Sequence, residues 1–111
     1  MQSALKAIAE PRRREILRLV WSAERSAGDI ASHFEVSRPA ISQHLRVLRT
    51  AGLVTERRDG TRRLYRADAD AFARLRAELE GFWNESLTAL KREVEAEEEG
   101  TDARGRPKRH G

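Results

Sequence analysis

The chain contains no cysteine. Disulfide staples, thiolate metal sites and cysteine nucleophiles are therefore excluded together. Aromatic residues make up only 5%, so the interior has to be built from aliphatic side chains. No apolar run approaches the roughly 18–20 residues of a membrane-spanning helix, and the N-terminus lacks the apolar core of a secretory signal. A cytoplasmic location is expected, with no membrane partner. His33, His44 and His110 lie far apart and form no set at metal-ligand spacing, so no metal site is expected. No glycine-rich phosphate loop occurs, and the carboxylates stand at capping and surface positions. Neither an enzyme nor a cofactor-binding protein is expected.

Charge is what the chain has in quantity: 36% of its 111 residues are charged, with a net +4. The distribution is uneven. Between Ser37 and Arg66 stand eight arginines (38, 46, 49, 57, 58, 62, 63 and 66) against Glu56 and Asp59, a local charge of +6 that exceeds that of the whole chain. A basic block inside a balanced protein points to a polyanion partner. The length is that of one domain, which buries only about two-thirds of its unfolded surface, so stability shared with a second copy is plausible on size alone.

Apolar periodicity places the elements. Gln2 to Ala9 reads as a short helix with Leu5 and Ile8 on one side. Pro11 fits the first turn of a second helix, in which Ile16, Leu17, Val20 and Trp21 form a stripe predicted to be core. Arg12, Arg13 and Arg14 open that helix, where the macrodipole disfavours cations, so they need phosphate or a carboxylate as partner. Ser26 with Asp29 resembles a capping box for a third helix, running to about Phe34 with Ile30 and Phe34 inward. Ser37 caps a fourth helix with Ile41, Leu45 and Leu48 buried, and Gly52 ends it.

The short break between the third and fourth helices predicts a helix-turn-helix. Leu53–Arg58, Asp59-Gly60 and Thr61–Arg66 then read as a β-hairpin with a two-residue turn. In that register Glu56 faces Arg63 and Arg57 faces Arg62. Like charges directly opposite are destabilising, and an anion at the hairpin would relieve them. Tyr65 is expected at the hairpin's base. From about Asp70 a long helix carries Phe72, Leu75, Leu79, Phe82, Trp83, Leu87, Leu90 and Val94 at alternating threes and fours. That is more apolar surface than one small core can cover. Residues 97–111 read as a charged, frayed tail outside a domain spanning 1–96.

The fold expectation is thus mainly α with a small β-hairpin: a winged helix-turn-helix of about five helices and a two-stranded wing. With Ile41, Leu45 and Leu48 buried, the fourth helix presents Arg38, Pro39, Ser42, Gln43, Arg46 and Arg49. Arginine can bond guanine O6 and N7, and glutamine adenine N6 and N7, in the major groove. Residues near the start of such a helix reach base edges while flanking ones hold phosphate. Arg38, Ser42 and Gln43 are therefore candidate base readers. Ser37, His44, Arg46 and Arg49, with the hairpin's Arg57, Arg62 and Arg63, are candidate phosphate contacts.

The stretch Ala9-Glu10-Pro11-Arg12-Arg13-Arg14-Glu15-Ile16-Leu17 is similar to the "A-[DE]-P-x-R-x-x-I-L" opening of the ArsR family of bacterial winged helix-turn-helix repressors. Ser37 to Leu48, followed by Ala51-Gly52-Leu53-Val54, resembles its "S-x-x-x-S-x-H-L-x-x-L-x-x-A-G-L-V" block, and Gly60 to Tyr65 its wing. The resemblance covers roughly residues 3 to 95. It implies a homodimer built from the first and last helices, with Leu5, Ile8, Leu79, Phe82, Trp83, Leu87 and Leu90 at the interface. It also implies a partly palindromic double-stranded DNA operator and repression by occlusion of a promoter, which in members with this wording is often the gene's own. Where the metal-sensing branch carries "C-x-C-D", this chain has Ser26-Ala27-Gly28-Asp29, and its last helix has no histidine. The resemblance is therefore to the non-metal branch. The alternative is a winged-helix module that binds another protein through its last helix. The basic charge sits on the fourth helix and wing instead, which favours DNA.

Overall fold

The computed structural model describes the backbone of residues 1–103 and the side chains of residues 1–98. Helices α1 (Gln2–Ala9) and α2 (Pro11–Trp21) are separated by Glu10 alone, which is extended at φ −83°, ψ 122°. A residue before proline is pushed out of the helical region. Glu10 turns that break into a cap, its carboxylate accepting the Arg12 amide at 3.1 Å.

Two of the three arginines at the start of α2 serve other partners. Arg13 Nε donates to the Ala7 carbonyl at 2.6 Å, and Arg14 donates to the carbonyls of Ile8 at 2.7 Å and Ala9 at 3.0 Å. These are the orphan carbonyls of the α1 C-terminus, where the dipole favours cations. Arg12 instead lies over the Phe34 ring, 4.9 Å from its centroid. Arg12 also has the expected kind of partner, the Glu15 carboxylate at 3.7 Å, whereas main-chain carbonyls take that place for Arg13 and Arg14.

Strand β1 (Arg25–Ser26) leads into α3 (Ala27–Ala31), capped by Ser26, whose Oγ accepts the Asp29 amide at 3.1 Å. The helix ends at Ala31, short of Phe34. A turn leads to α4 (Arg38–Thr50), which Ser37 caps by accepting the Ala40 amide at 3.3 Å. At its far end the Gly52 amide donates to the Arg49 carbonyl at 2.9 Å and the Leu53 amide to the Leu48 carbonyl at 3.0 Å. This pair of bonds is a Schellman motif, and it holds Gly52 at φ +78°. A side chain there is strained by about 1 kcal/mol or more. Gly52→Ala should therefore lower the free energy of unfolding by about that amount, seen as a lower urea midpoint with an unchanged m-value. A midpoint equal to wild type would show that the strain is absent.

Strands β2 (Val54–Asp59) and β3 (Arg62–Ala67) form the wing, and β1 pairs with β3 to give a three-stranded antiparallel sheet ordered β1-β3-β2. The third strand is an addition to the expected two-stranded wing. The register also differs: Arg58 faces Arg63 and Asp59 faces Arg62, so the turn is Gly60-Thr61 rather than Asp59-Gly60. Centring on Asp-Gly would require positive φ at both residues, whereas a turn starting on glycine requires it at the first alone. Gly60 has φ +63°, and no non-glycine residue has positive φ among the described residues.

The chain divides into two compact units, Met1–Arg76 and Ala77–Gly111. In the first, Ile16, Leu17 and Val20 of α2 join Ile30 of α3, Ile41, Leu45 and Leu48 of α4, and Leu53, Val54 and Tyr65 of the wing root in one core. Trp21 is a correction: it is 49% exposed, its ring set edge-on to Phe72 at 5.0 Å. At 100° per residue it lies about 90° round α2 from the mean direction of Ile16, Leu17 and Val20, at the edge of the stripe.

The second unit lies on α5 (Ala69–Ala103), which Asp68 caps by accepting the Ala71 amide at 3.1 Å. The helix passes residue 97, where the tail was expected to begin. Ala96, Glu97 and Glu98 are strong helix formers, and a helix does not need apolar periodicity to continue. Residues 104–111 of that tail lie outside the described residues. Leu79 is half-buried; Phe82 (58% exposed), Trp83 (63%), Leu87, Leu90 (56%) and Val94 are exposed. At helical spacing these six occupy an arc of about 140° on one side of α5.

Candidate nucleic-acid interface

The capping of α3 and α4 sets the two helices as a helix-turn-helix, and the wing returns beside α4. Between α4 and the wing runs a groove of about 630 Å³. Arg38, Ser42, Arg46 and Arg49 line it from α4, Thr61, Arg62 and Arg63 from the wing, and Gly28 from α3. Its base is formed by Leu45 and Tyr65. Five guanidinium groups thus converge on one concavity whose single lining carboxylate is Glu56.

The arginines of this region divide by partner. Arg49 donates to Glu56 Oε2 at 3.0 Å, and Arg63 stands 3.9 Å from Glu56 Oε1. Arg62 lies 3.7 Å from Asp59 across the turn. Arg57 makes a two-pronged pair with Glu24, at 2.9 and 2.7 Å. It points the opposite way from its neighbour Glu56, as strand alternation requires, and so lies off the groove. The Arg57 hydrogen bond holds the Glu24 carboxyl below its ordinary pKa. Arg38, Arg46, Arg58 and Arg66 make no ion pair among the described residues. The guanidinium of Arg38 rests against Gly28, 3.7 Å from where a Cβ would stand.

The other predicted residues take separate places. Ser37 is the cap of α4. Gln43 is exposed on α4 outside the groove lining. His44 is half-buried, with Nδ1 3.4 Å from an Arg13 guanidinium nitrogen. Arginine only donates, so Nδ1 accepts. Tyr65 is buried at the wing's base as expected; burial, then its hydrogen bond to Glu56, pushes its hydroxyl above the usual pKa, so it stays protonated and can donate. Of the predicted interface residues, Leu5 and Ile8 are half-buried on α1, and the remainder are those of the α5 stripe.

Two features escape sequence reasoning. The like-charge pair in the wing is Arg58 opposite Arg63, not Arg57 opposite Arg62. Glu24 pairs with Arg57, and Glu56 with Arg49 as well as with Arg63, the partner read from the sequence; only the charge imbalance of the segment hinted at the other two.

Residues 10–56 match the bacterial regulatory proteins of the arsR family. The chain is 41% identical over 98 residues to an HTH-type transcriptional regulator of Mycobacterium tuberculosis, spanning 88% of this chain and 92% of that protein. It is 45% identical over 60 residues to the transcriptional repressor SdpR of Bacillus subtilis, spanning 54% and 67%. Among solved structures, that of a possible transcriptional regulator for arsenical resistance superposes with a TM-score of 0.68 at 47% identity, over 82% of this chain and 95% of that one. The solution structure of a homodimeric winged helix-turn-helix DNA-binding domain from Mycobacterium bovis gives 0.61 at 36% identity, over 76% and 78%.

Proposed function

The chain belongs to the arsR family of bacterial regulatory proteins, and from that premise we propose that it is a homodimeric repressor occupying a partly palindromic operator at a promoter, its own gene's among them. It is a DNA-binding transcriptional regulator and not an enzyme. No helix among the described residues is long and apolar enough to cross a membrane.

The convergence of α4 and wing arginines on one groove carries the proposal. In it α4 enters the major groove, Arg38, Ser42 and Gln43 read base edges, and Ser37, His44, Arg46, Arg49, Arg62 and Arg63 hold phosphate. Arg58 and Arg66, free of ion pairs, join the phosphate set; Arg57 joins it only by leaving Glu24. Two copies meet through α1 and α5, with Leu5, Ile8, Leu79, Phe82, Trp83, Leu87 and Leu90 at the interface. The exposed α5 stripe and the homodimeric relative support that pairing. Half-sites then lie about one helical turn, roughly 34 Å, apart. Repression by occlusion is supported by the relative that is a repressor. Trigger chemistry without a metal is supported by the absence of cysteine and by Ser26-Ala27-Gly28-Asp29 at the place of the family's "C-x-C-D".

A footprint on DNA upstream of the protein's own gene tests the proposal. Wild type should protect two half-sites, and an Arg38→Ala, Gln43→Ala variant should lose specific protection while remaining a folded dimer. Equal protection of the same bases by the variant would overturn the assignment of base readers.

A further inference from the structure

Glu56 is the one carboxylate lining a groove built of arginines, and it is held from two sides. Arg49 of α4 reaches its Oε2 at 3.0 Å, Arg63 of β3 stands 3.9 Å from its Oε1, and Tyr65 is its partner across the strands at the wing's base. Its side chain is 20% exposed, against 54% for each of the two arginines. An acid so placed lowers the charge of a polyanion-binding surface, which a surface evolved for affinity alone would avoid.

We propose that Glu56 is a positioning residue of the DNA face: its carboxylate latches the wing to α4 and occupies Arg49 and Arg63, so that they contact DNA only in the geometry the latch allows. The proposal rests on the groove being the DNA face. It follows from the two ways DNA is bound. Non-specific binding needs only cations near phosphates, and its affinity grows with the number neutralised. A cation already satisfied by an internal carboxylate contributes little to that count. It contributes to a cognate site when the fit is good enough for phosphate to replace, or share it with, the carboxylate. Glu56 thereby suppresses binding to wrong sequences more than to the right one, a repulsive element of specificity.

Binding is measured by fluorescence anisotropy on the footprinted operator and on a scrambled duplex, between 50 and 200 mM salt, with fold and dimer checked by circular dichroism and sedimentation. Glu56→Gln should steepen the salt dependence on scrambled DNA by about 1 to 2 in log–log slope per protomer, one or two further phosphates at about 0.9 each. It should also lower the ratio of operator to scrambled affinity about tenfold, the scale of one mismatched base pair. Glu56→Asp, which keeps the charge, should retain the wild-type slope. In an Arg49→Gln, Arg63→Gln background, Glu56→Gln should no longer change it. In the otherwise wild-type chain, Arg46→Gln should reduce the slope by about 0.9 per protomer and Arg49→Gln by clearly less, a comparison that does not depend on the Glu56 variants folding.

An unchanged slope and ratio in Glu56→Gln would overturn the proposal. So would an effect that persists without both arginines, which would make it a general loss of negative charge, or equal slopes lost on Arg46→Gln and Arg49→Gln. Wild type without preference for any promoter duplex would overturn the assignment of the DNA face itself, and the latch with it.

Discussion

Trp83→Glu is expected to convert the dimer to monomer and to weaken operator binding by about 10²–10⁴-fold, the range lost when two linked half-site contacts become independent. Trp83 is the most exposed of the large apolar side chains on α5, at 63%. A tryptophan brings about 150–250 Å² to an interface, worth roughly 4–6 kcal/mol at about 25 cal/mol per Å² as an upper bound. In a two-fold dimer every substitution acts twice. Glutamate removes that area on both protomers and obliges two carboxylates to lose water or stay apart. The variant's helix should survive, because glutamate is a good helix former and position 83 is outside the core of Met1–Arg76. Sedimentation velocity at micromolar concentration and anisotropy on the operator read the two effects separately. A variant that remains dimeric would place the interface elsewhere.

Raising salt from about 50 to 200 mM is expected to cost the dimer about 10⁴-fold in affinity for a scrambled duplex, where no base is read and the internal pairs stay closed, with a log–log slope near −7. The figure comes from the division of the arginines by partner. Arg38, Arg46, Arg58 and Arg66 carry no ion pair among the described residues, and four per protomer make eight available to phosphate in a dimer. Counting every arginine of the segment would give a slope about twice as steep. Titration of the equilibrium constant against salt therefore distinguishes free cations from neutralised ones. A flat dependence would remove DNA phosphate as the partner of this surface, and a slope near −14 would mean that the internal pairs open on binding.

The helices were legible because each carries its own evidence. Ser26 and Ser37 mark two starts, Gly52 marks a stop, and Ile41, Leu45 and Leu48 declare the buried side of α4. The groove was legible for the same reason: Arg38, Ser42, Arg46 and Arg49 share one helix, and its period alone brings them to one side. What was not legible depends on partners distant in sequence. Strand β1 is two residues long, too short to show alternation, and exists because Tyr65 and Leu64 lie beside it. Glu24 meets Arg57 across 33 positions. Trp21 looked interior because a stripe does not state where its core ends. The hairpin's register could not be settled by a glycine that serves either turn, and backbone torsion decided between them.

The difference between the two registers has a consequence for how such a wing can change over generations. Moving the turn by one residue shifts each cross-strand partner by two places, which leaves every side chain on the side of the sheet it already occupied. Glu56, Arg63 and Tyr65 keep their company in either pairing. Wings of this kind can therefore be lengthened or shortened by one residue on each strand without disturbing what lies beneath, whereas a single insertion in one strand would turn the outer half inside out. Reach toward DNA is free to vary by matched pairs of residues, while the contact with α4 stays as it is.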